Sequence, residues 1–154
     1  VECVQTMVKI ANRVEPEIDY WKRFRTNDNI DLSDFETKVA YSTCVTAMNM
    51  GADAIVCYTN SGNSARKLAG LGAGCPILAV TDNRRTFNQL ALAWNVTPVF
   101  VEKAESIDAT VENGIKKLQD KGILEKGDTI VISGGPSILK NAEESKIVAS
   151  VAKV

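Results

Sequence analysis

Residues 59–64, Thr-Asn-Ser-Gly-Asn-Ser, hold the densest set of groups in this chain able to grip an anion. Thr59, Ser61 and Ser64 bring hydroxyls, Asn60 and Asn63 bring carboxamides, and Gly62 brings a backbone free to take positive φ or to approach a ligand closely. The apolar run 54–58 precedes this loop and a helical pattern follows it at once. The first N–H groups of a helix have no intrahelical acceptor and lie at the positive end of the helix dipole, so a phosphate or another anion is the ligand such a loop offers to seat. On spacing alone a second reading stands beside that one: a strand-to-helix turn in which Ser61 or Ser64 caps the helix.

Other polar loops are less specific. Residues 81–86 place Asn83 and Thr86 where turn and cap residues belong, and Arg84 and Arg85 are either solvated or in contact with an anion. Gly134, Gly135, Pro136 and Ser137 form a tight turn after an apolar run, either a plain turn or one that closes over a ligand at the same sheet edge. Trp21 and Trp94 lie on helical patterns with apolar neighbours and read as packing residues. The chain has no His, which excludes a Ser–His pair. It has no Walker loop, and Asp53, Asp82 and Asp128 lie near strand ends with nothing to pair them as acid and base. Cys3, Cys44, Cys57 and Cys75 form no C-x-x-C pair, so no metal site is expected and the thiols read as small hydrophobes. No catalytic residue emerges, and a phospholigand-binding module fits better than an enzyme.

The elements that must position the loop follow from periodicity. The 154 residues suit one domain, with 45% hydrophobic and 24% charged residues and a net charge of −1. No basic stripe suggests nucleic acid, no run is long enough to span a membrane, and a reducing cytoplasm is the default expectation. Residues 1–24 carry Val4, Met7, Val8, Ala11, Val14, Ile18 and Trp21 at helical spacing, with Pro16 as a kink. The start at Val1, without Met, predicts a piece of something longer. Residues 25–32 read as a connection. Ser33 is expected to cap the next helix with Glu36 completing a capping box, and that helix ends near Gly51. Strands are predicted at 54–58, 76–80, 97–101, 129–132 and 147–151, and helices at 64–69, 86–94 and 107–119. This alternation predicts βαβ units and a mostly parallel sheet covered on both faces, with ligands at the carboxyl ends of the strands. The loops 59–64, 81–86, 102–106 and 133–141 are then the ones to inspect.

Particular residues also resemble a known family. Val39-Ala-Tyr-Ser-Thr-Cys-Val-Thr-Ala, Gly51-Ala-Asp-Ala-Ile-Val, Thr59-Asn-Ser-Gly-Asn-Ser-Ala-Arg, Pro76-Ile-Leu-Ala-Val-Thr, Gln89-Leu-Ala-Leu-Ala-Trp-Asn-Val-Thr-Pro-Val and Lys126-Gly-Asp-Thr-Ile-Val-Ile-Ser-Gly resemble, in order, the C-terminal domain of pyruvate kinase. The resemblance covers nearly the whole chain. It implies one domain over 1–154, with 1–24 as the helix that follows a catalytic barrel this chain lacks. The implied fold is an α/β class three-layer α/β/α sandwich around a five-stranded, mostly parallel mixed sheet with the last strand antiparallel. The full-length enzyme would transfer phosphoryl from phosphoenolpyruvate to ADP with Mg and K, at sites outside this domain, so no cofactor is expected here. By resemblance the domain is regulatory: it binds a phosphorylated small-molecule effector and builds a homo-oligomer, a tetramer in the full-length protein and a dimer for this chain alone.

The same resemblance assigns Thr59, Asn60, Ser61, Gly62, Asn63 and Ser64 to the effector's phosphate, with further loop contacts from Gly134, Gly135 and Ser137. Three departures narrow the ligand. Asn63 stands where a basic residue is common in members activated by fructose bisphosphate, and it cannot supply a charge-assisted contact. Residues 102–106 lack the Trp and Arg that hold the sugar's other phosphate in some members. The closing loop reads Gly135-Pro-Ser-Ile-Leu-Lys-Asn-Ala, against a Gly, Ser and Thr-rich pattern. One phosphate subsite is kept, which suits a monophosphate such as a sugar phosphate or AMP. Two alternatives stand: an enzyme acting on phosphosugars, and a purely structural assembly domain that pairs through the edge of the strand at 147–151.

Overall fold

The computed structural model describes residues 1–104, 107–134 and 149–153. Four short apolar segments form parallel strands: β1 (Ala54–Tyr58), β2 (Ile77–Thr81), β3 (Val96–Phe100) and β4 (Thr129–Gly134). They lie in the order β3-β2-β1-β4, and β5 (Ala149–Lys153) pairs antiparallel with the outer side of β4. The helices are α1 (Glu2–Val14), α2 (Tyr20–Arg25), α3 (Phe35–Met50), α4 (Asn63–Leu71), α5 (Arg84–Leu90) and α6 (Ile107–Asp120).

Every residue of β1 and β2 is buried, as parallel strands covered on both faces must be. Alternation divides their side chains between two cores. Ile55, Cys57, Ile77, Ala79 and Val131 pack with Ala40, Cys44 and Ala47 of α3 and Ala65 and Leu68 of α4. Ala54, Val56, Tyr58, Leu78, Val80, Val99, Ile130 and Ile132 pack on the opposite face with Leu118 of α6. The small buried residues of α3 let it lie close to the sheet and to α4. Across β1 and β4 the Asp53 N–H donates to the Thr129 carbonyl at 2.8 Å, and the Asp53 carboxylate accepts from the Thr129 N–H, also at 2.8 Å. Asp53 therefore pins strand register at the amino ends of the strands, opposite the loop 59–64.

Three expectations are corrected. Residues 1–24 are not one kinked helix. Pro16 lies in a 3-10 turn at Glu15–Glu17, Ile18 is extended, and Asp19 starts α2 by accepting from the Lys22 N–H at 2.8 Å. Helix α1 buries none of its residues, with Met7 67% and Val4 62% exposed, so its apolar stripe is no part of either core. Ser33 does not cap α3. Asp34, one residue later, accepts from the Thr37 N–H at 3.0 Å and the Thr37 hydroxyl at 2.7 Å. A carboxylate is the stronger acceptor at the positive end of a helix, and Glu36 is engaged elsewhere. The helix expected over 86–94 spans Arg84–Leu90 and gives way to a turn that ends on Asn95 at φ 56°. The Asn95 carboxamide donates to the carbonyls of Ala73 and Cys75 at 3.1 and 2.9 Å, which holds that turn against the segment before β2.

Candidate functional site

The loop 59–64 leaves the carboxyl end of β1 in the middle of the sheet. The Thr59 N–H donates to the Val80 carbonyl at 2.9 Å, which continues the β1–β2 ladder one residue beyond the strand. The buried Thr59 hydroxyl accepts from the Gly62 N–H at 3.0 Å and folds the loop back on itself. Gly62 sits at φ 81°, the left-handed region, and is the residue from which α4 starts. Its Cα faces Thr86 and Leu90 so closely that a Cβ would lie 3.1 and 3.2 Å from their side chains.

The bracing comes from α5. The Thr86 hydroxyl donates to the Asn60 carbonyl at 2.6 Å, and the Asn83 carboxamide donates to the Asn60 side-chain oxygen at 3.3 Å. The Asn83 oxygen accepts from the N–H groups of Arg85 and Thr86 at 3.0 and 3.3 Å, so Asn83 caps α5, as its position in the loop suggested. Arg66 of α4 donates to the Ser61 carbonyl and to Gln89, both at 3.2 Å.

The residue at the N-cap of α4 is Gly62, which has no side chain to cap the helix. Of the two capping residues expected, Ser64 does not cap α4, and Ser61 makes one long contact to the first helical N–H. Ser61 accepts from the Asn63 N–H at 3.4 Å, a local turn contact, and Ser64 lies within the first helical turn. The Ser64 and Ala65 N–H groups in that turn have no intrahelical acceptor. All six residues from Thr59 to Ser64 thus belong to one braced turn at a helix start. Gly134 ends β4 in register with Tyr58, beside the start of the loop, while Gly135 and Ser137 lie outside the described residues.

Asn83, Thr86, Arg66, Glu36 and Lys67 shape this site, and the sequence did not assign them to it. Thr86 and Arg66 brace the loop, as described. The Asn63 carboxamide donates to Glu36 Oε2 in the first turn of α3. Lys67, one helical turn after Asn63, bonds the Asp34 carboxylate and the Thr37 hydroxyl, the latter at 2.9 Å, and lies 4.0 Å from Glu36. The hydrogen bond from Lys67, with those from Thr37, holds the Asp34 carboxyl well below the usual carboxylate range. The only available signal was the four-residue spacing of Asn63 and Lys67, which puts both on one side of α4.

Most of the remaining candidates make structural contacts. Arg84 stacks over the Phe100 ring at 4.3 Å. Trp94 packs on Tyr20 at 5.0 Å, and Trp21 packs on the core and edge-on to Phe24. Asp128 accepts from the Glu125 N–H at 2.8 Å, and Asp82 is exposed. Burial pushes the thiols of Cys44 and Cys57 up to about 12 and that of Cys75 up to about 11. Among the described residues no cluster of three or more His, Cys, Asp or Glu is placed to hold a metal, and no helix is long and apolar enough to cross a membrane.

The strand order, the helices on both faces and the braced loop at the sheet's carboxyl edge define an open α/β domain of the parallel-sheet class. A family model described as the pyruvate kinase alpha/beta domain matches residues 37–148, and the chain belongs to that family. It is 30% identical over 135 residues to the pyruvate kinase of Clostridium acetobutylicum, covering 88% of this chain and 28% of that protein. It is 32% identical over 134 residues to the pyruvate kinase of Staphylococcus epidermidis, covering 87% and 23%. The chain thus spans about a quarter of the length of these relatives. A solved structure of Cryptosporidium parvum pyruvate kinase in complex with ADP shares the fold, with a TM-score of 0.77 at 18% identity over 88% of this chain and 27% of that one.

Proposed function

We propose that this chain is the regulatory and assembly domain of a pyruvate kinase and that residues 59–64 seat the phosphate of a small effector. The observation that carries this reading is the start of α4. It begins on left-handed Gly62 with no side-chain cap, at the carboxyl end of a central strand, inside a loop held open by Asn60, Asn83 and Thr86. The hydroxyls of Ser61 and Ser64 and the first-turn N–H groups are the donors a phosphate needs. Asn63 brings no charge and its carboxamide is committed to Glu36, which favours a monophosphate over a bisphosphate. Gly134, Gly135 and Ser137 would close the neighbouring edge.

In the full-length protein the domain would regulate phosphoryl transfer from phosphoenolpyruvate to ADP in the cytoplasm, with Mg and K bound outside this domain. The effector would act by population shift, binding one arrangement of a homo-oligomer better than another. Titration calorimetry with inorganic phosphate, a sugar monophosphate, AMP and fructose bisphosphate tests the seat. A monophosphate is expected to bind with a Kd of roughly 0.1–1 mM, about 4–5.5 kcal/mol, and fructose bisphosphate no more tightly. Ser64→Ala should weaken it. The seat is refuted when none of the four binds.

A further inference from the structure

Glu36 occupies a position that its place in the sequence does not explain. It lies in the first turn of α3, yet the cap of that helix is Asp34. Its Oε2 instead accepts from the carboxamide of Asn63, the first residue of α4. Lys67, the nearby cation, is bonded to Asp34 and Thr37 and stays 4.0 Å from Glu36, beyond hydrogen-bond length. The Glu36 side chain is 39% exposed, so it stands at the solvent rim of the loop. A carboxylate at the head of α4 draws on the same positive end of the helix that an incoming anion would use.

We infer that Glu36 is a specificity-determining residue of the loop 59–64, a built-in carboxylate held at its rim by Asn63 that competes with the ligand's charge. This rests on the phosphate-seat reading and extends it to regulation of the same site. Glu36 acts in two ways. It repels the ligand in proportion to the ligand's charge, which penalises a second phosphate most. It also ties up the one side chain at the head of α4, Asn63, that would otherwise turn its donor to the ligand. The effector class selected is a singly phosphorylated one whose remainder is neutral.

The test is titration calorimetry of the chain with inorganic phosphate at low ionic strength, comparing the wild type with Glu36→Gln, Glu36→Lys and Glu112→Gln. The last removes one exposed carboxylate on α6, which covers the face of the sheet opposite α3 and α4. A unit charge about 4 Å from an anion in water changes affinity about fivefold, and Lys67 at 4.0 Å already offsets part of the Glu36 charge, so Glu36→Gln should bind phosphate more tightly by up to about fivefold. Glu36→Lys should bind more tightly again, Glu112→Gln should match the wild type, and about 0.5 M salt should shrink the differences. The inference is overturned, with the seat intact, when the wild type binds phosphate and Glu36→Gln binds it no better. When neither protein binds, the seat reading fails and this inference with it.

Discussion

Replacing Gly62 by Ala tests whether the loop is built as described, because two separate costs meet there. The first is conformational: an L side chain in the left-handed region costs about 1–2 kcal/mol. The second is steric. The new Cβ would lie 3.1 Å from Thr86 Cγ2, 3.2 Å from Leu90 Cδ2 and 3.4 Å from Arg66 Cζ. Arg66 is exposed and can move, but Thr86 is 4% exposed and Leu90 fully buried, so neither can give way cheaply. Overpacking of this kind adds about 1 kcal/mol or more, for a total near 3 kcal/mol. Gly72, at the other end of the same helix, isolates the first cost. It sits at φ 74°, and a Cβ there meets nothing within 4 Å, so Gly72→Ala should lose about 1–2 kcal/mol only. Urea unfolding followed by tryptophan fluorescence and far-UV circular dichroism gives both values, provided the two probes coincide. A Gly62→Ala loss no larger than that of Gly72→Ala would refute the close approach of the loop to α5.

Two further outcomes follow from the titrating groups. Hydrogen bonds from Lys67 and Thr37 lower the Asp34 pKa, so the folded chain favours its ionised form more than the unfolded chain does. That stabilisation is complete above the ordinary value of 3.8 and is lost as the pH falls below it. Asparagine also caps helices well, so Asp34→Asn removes the charge and keeps the cap. The urea midpoints of the two proteins should converge on acidification below about pH 4, and parallel curves would refute the pairing. Cys3 is exposed, while Cys44, Cys57 and Cys75 are buried with raised thiols. Brief alkylation of the native chain with iodoacetamide near pH 8 should modify Cys3 alone, and mass spectrometry of the peptides should find the other three only after unfolding. Modification of a buried thiol at the Cys3 rate would contradict the packing.

The sheet was legible because its central strands are short apolar runs bounded by polar loops, and Ala54–Tyr58 and Ile77–Thr81 fall within a residue of where those runs predict. Boundaries failed where two local signals competed. The pattern Ser33-x-x-Glu36 looks like a capping box, but Asp34 lies between with a charge to offer, and Glu36 found a partner on another helix. Periodicity over 1–24 correctly implied an apolar helical face. It carried no information about what covers that face, and none of α1 is buried. The loop 59–64 could be read as a unit because its residues are contiguous. Its braces could not: Thr86, Asn83 and Glu36 are 23 to 27 residues away from their partners, and only the strand order and the packing of α3 on α4 bring them together.

That division has a consequence for how the site works. The neighbours on α5 act on the loop's backbone and on Asn60, through hydrogen bonds that carry no net charge, so they determine where the ligand-facing donors point. The neighbours on α3 and α4 act through Glu36, Asp34 and Lys67, all ionisable and all at the solvent edge, so they determine the potential an anion meets. Geometry is thus set mainly from α5 and charge mainly from α3 and α4, with Arg66 of α4 adding a cation to the brace at the Ser61 carbonyl. On the proposed reading, residues 63 and 36 could change together to retune which anions are accepted while Thr59, Gly62, Asn83 and Thr86 keep the turn intact. If the loop seats a phosphate as proposed, a turn of almost constant shape would serve ligands of different charge, and Asn63 paired with Glu36 would be the arrangement that suits the least charged of them.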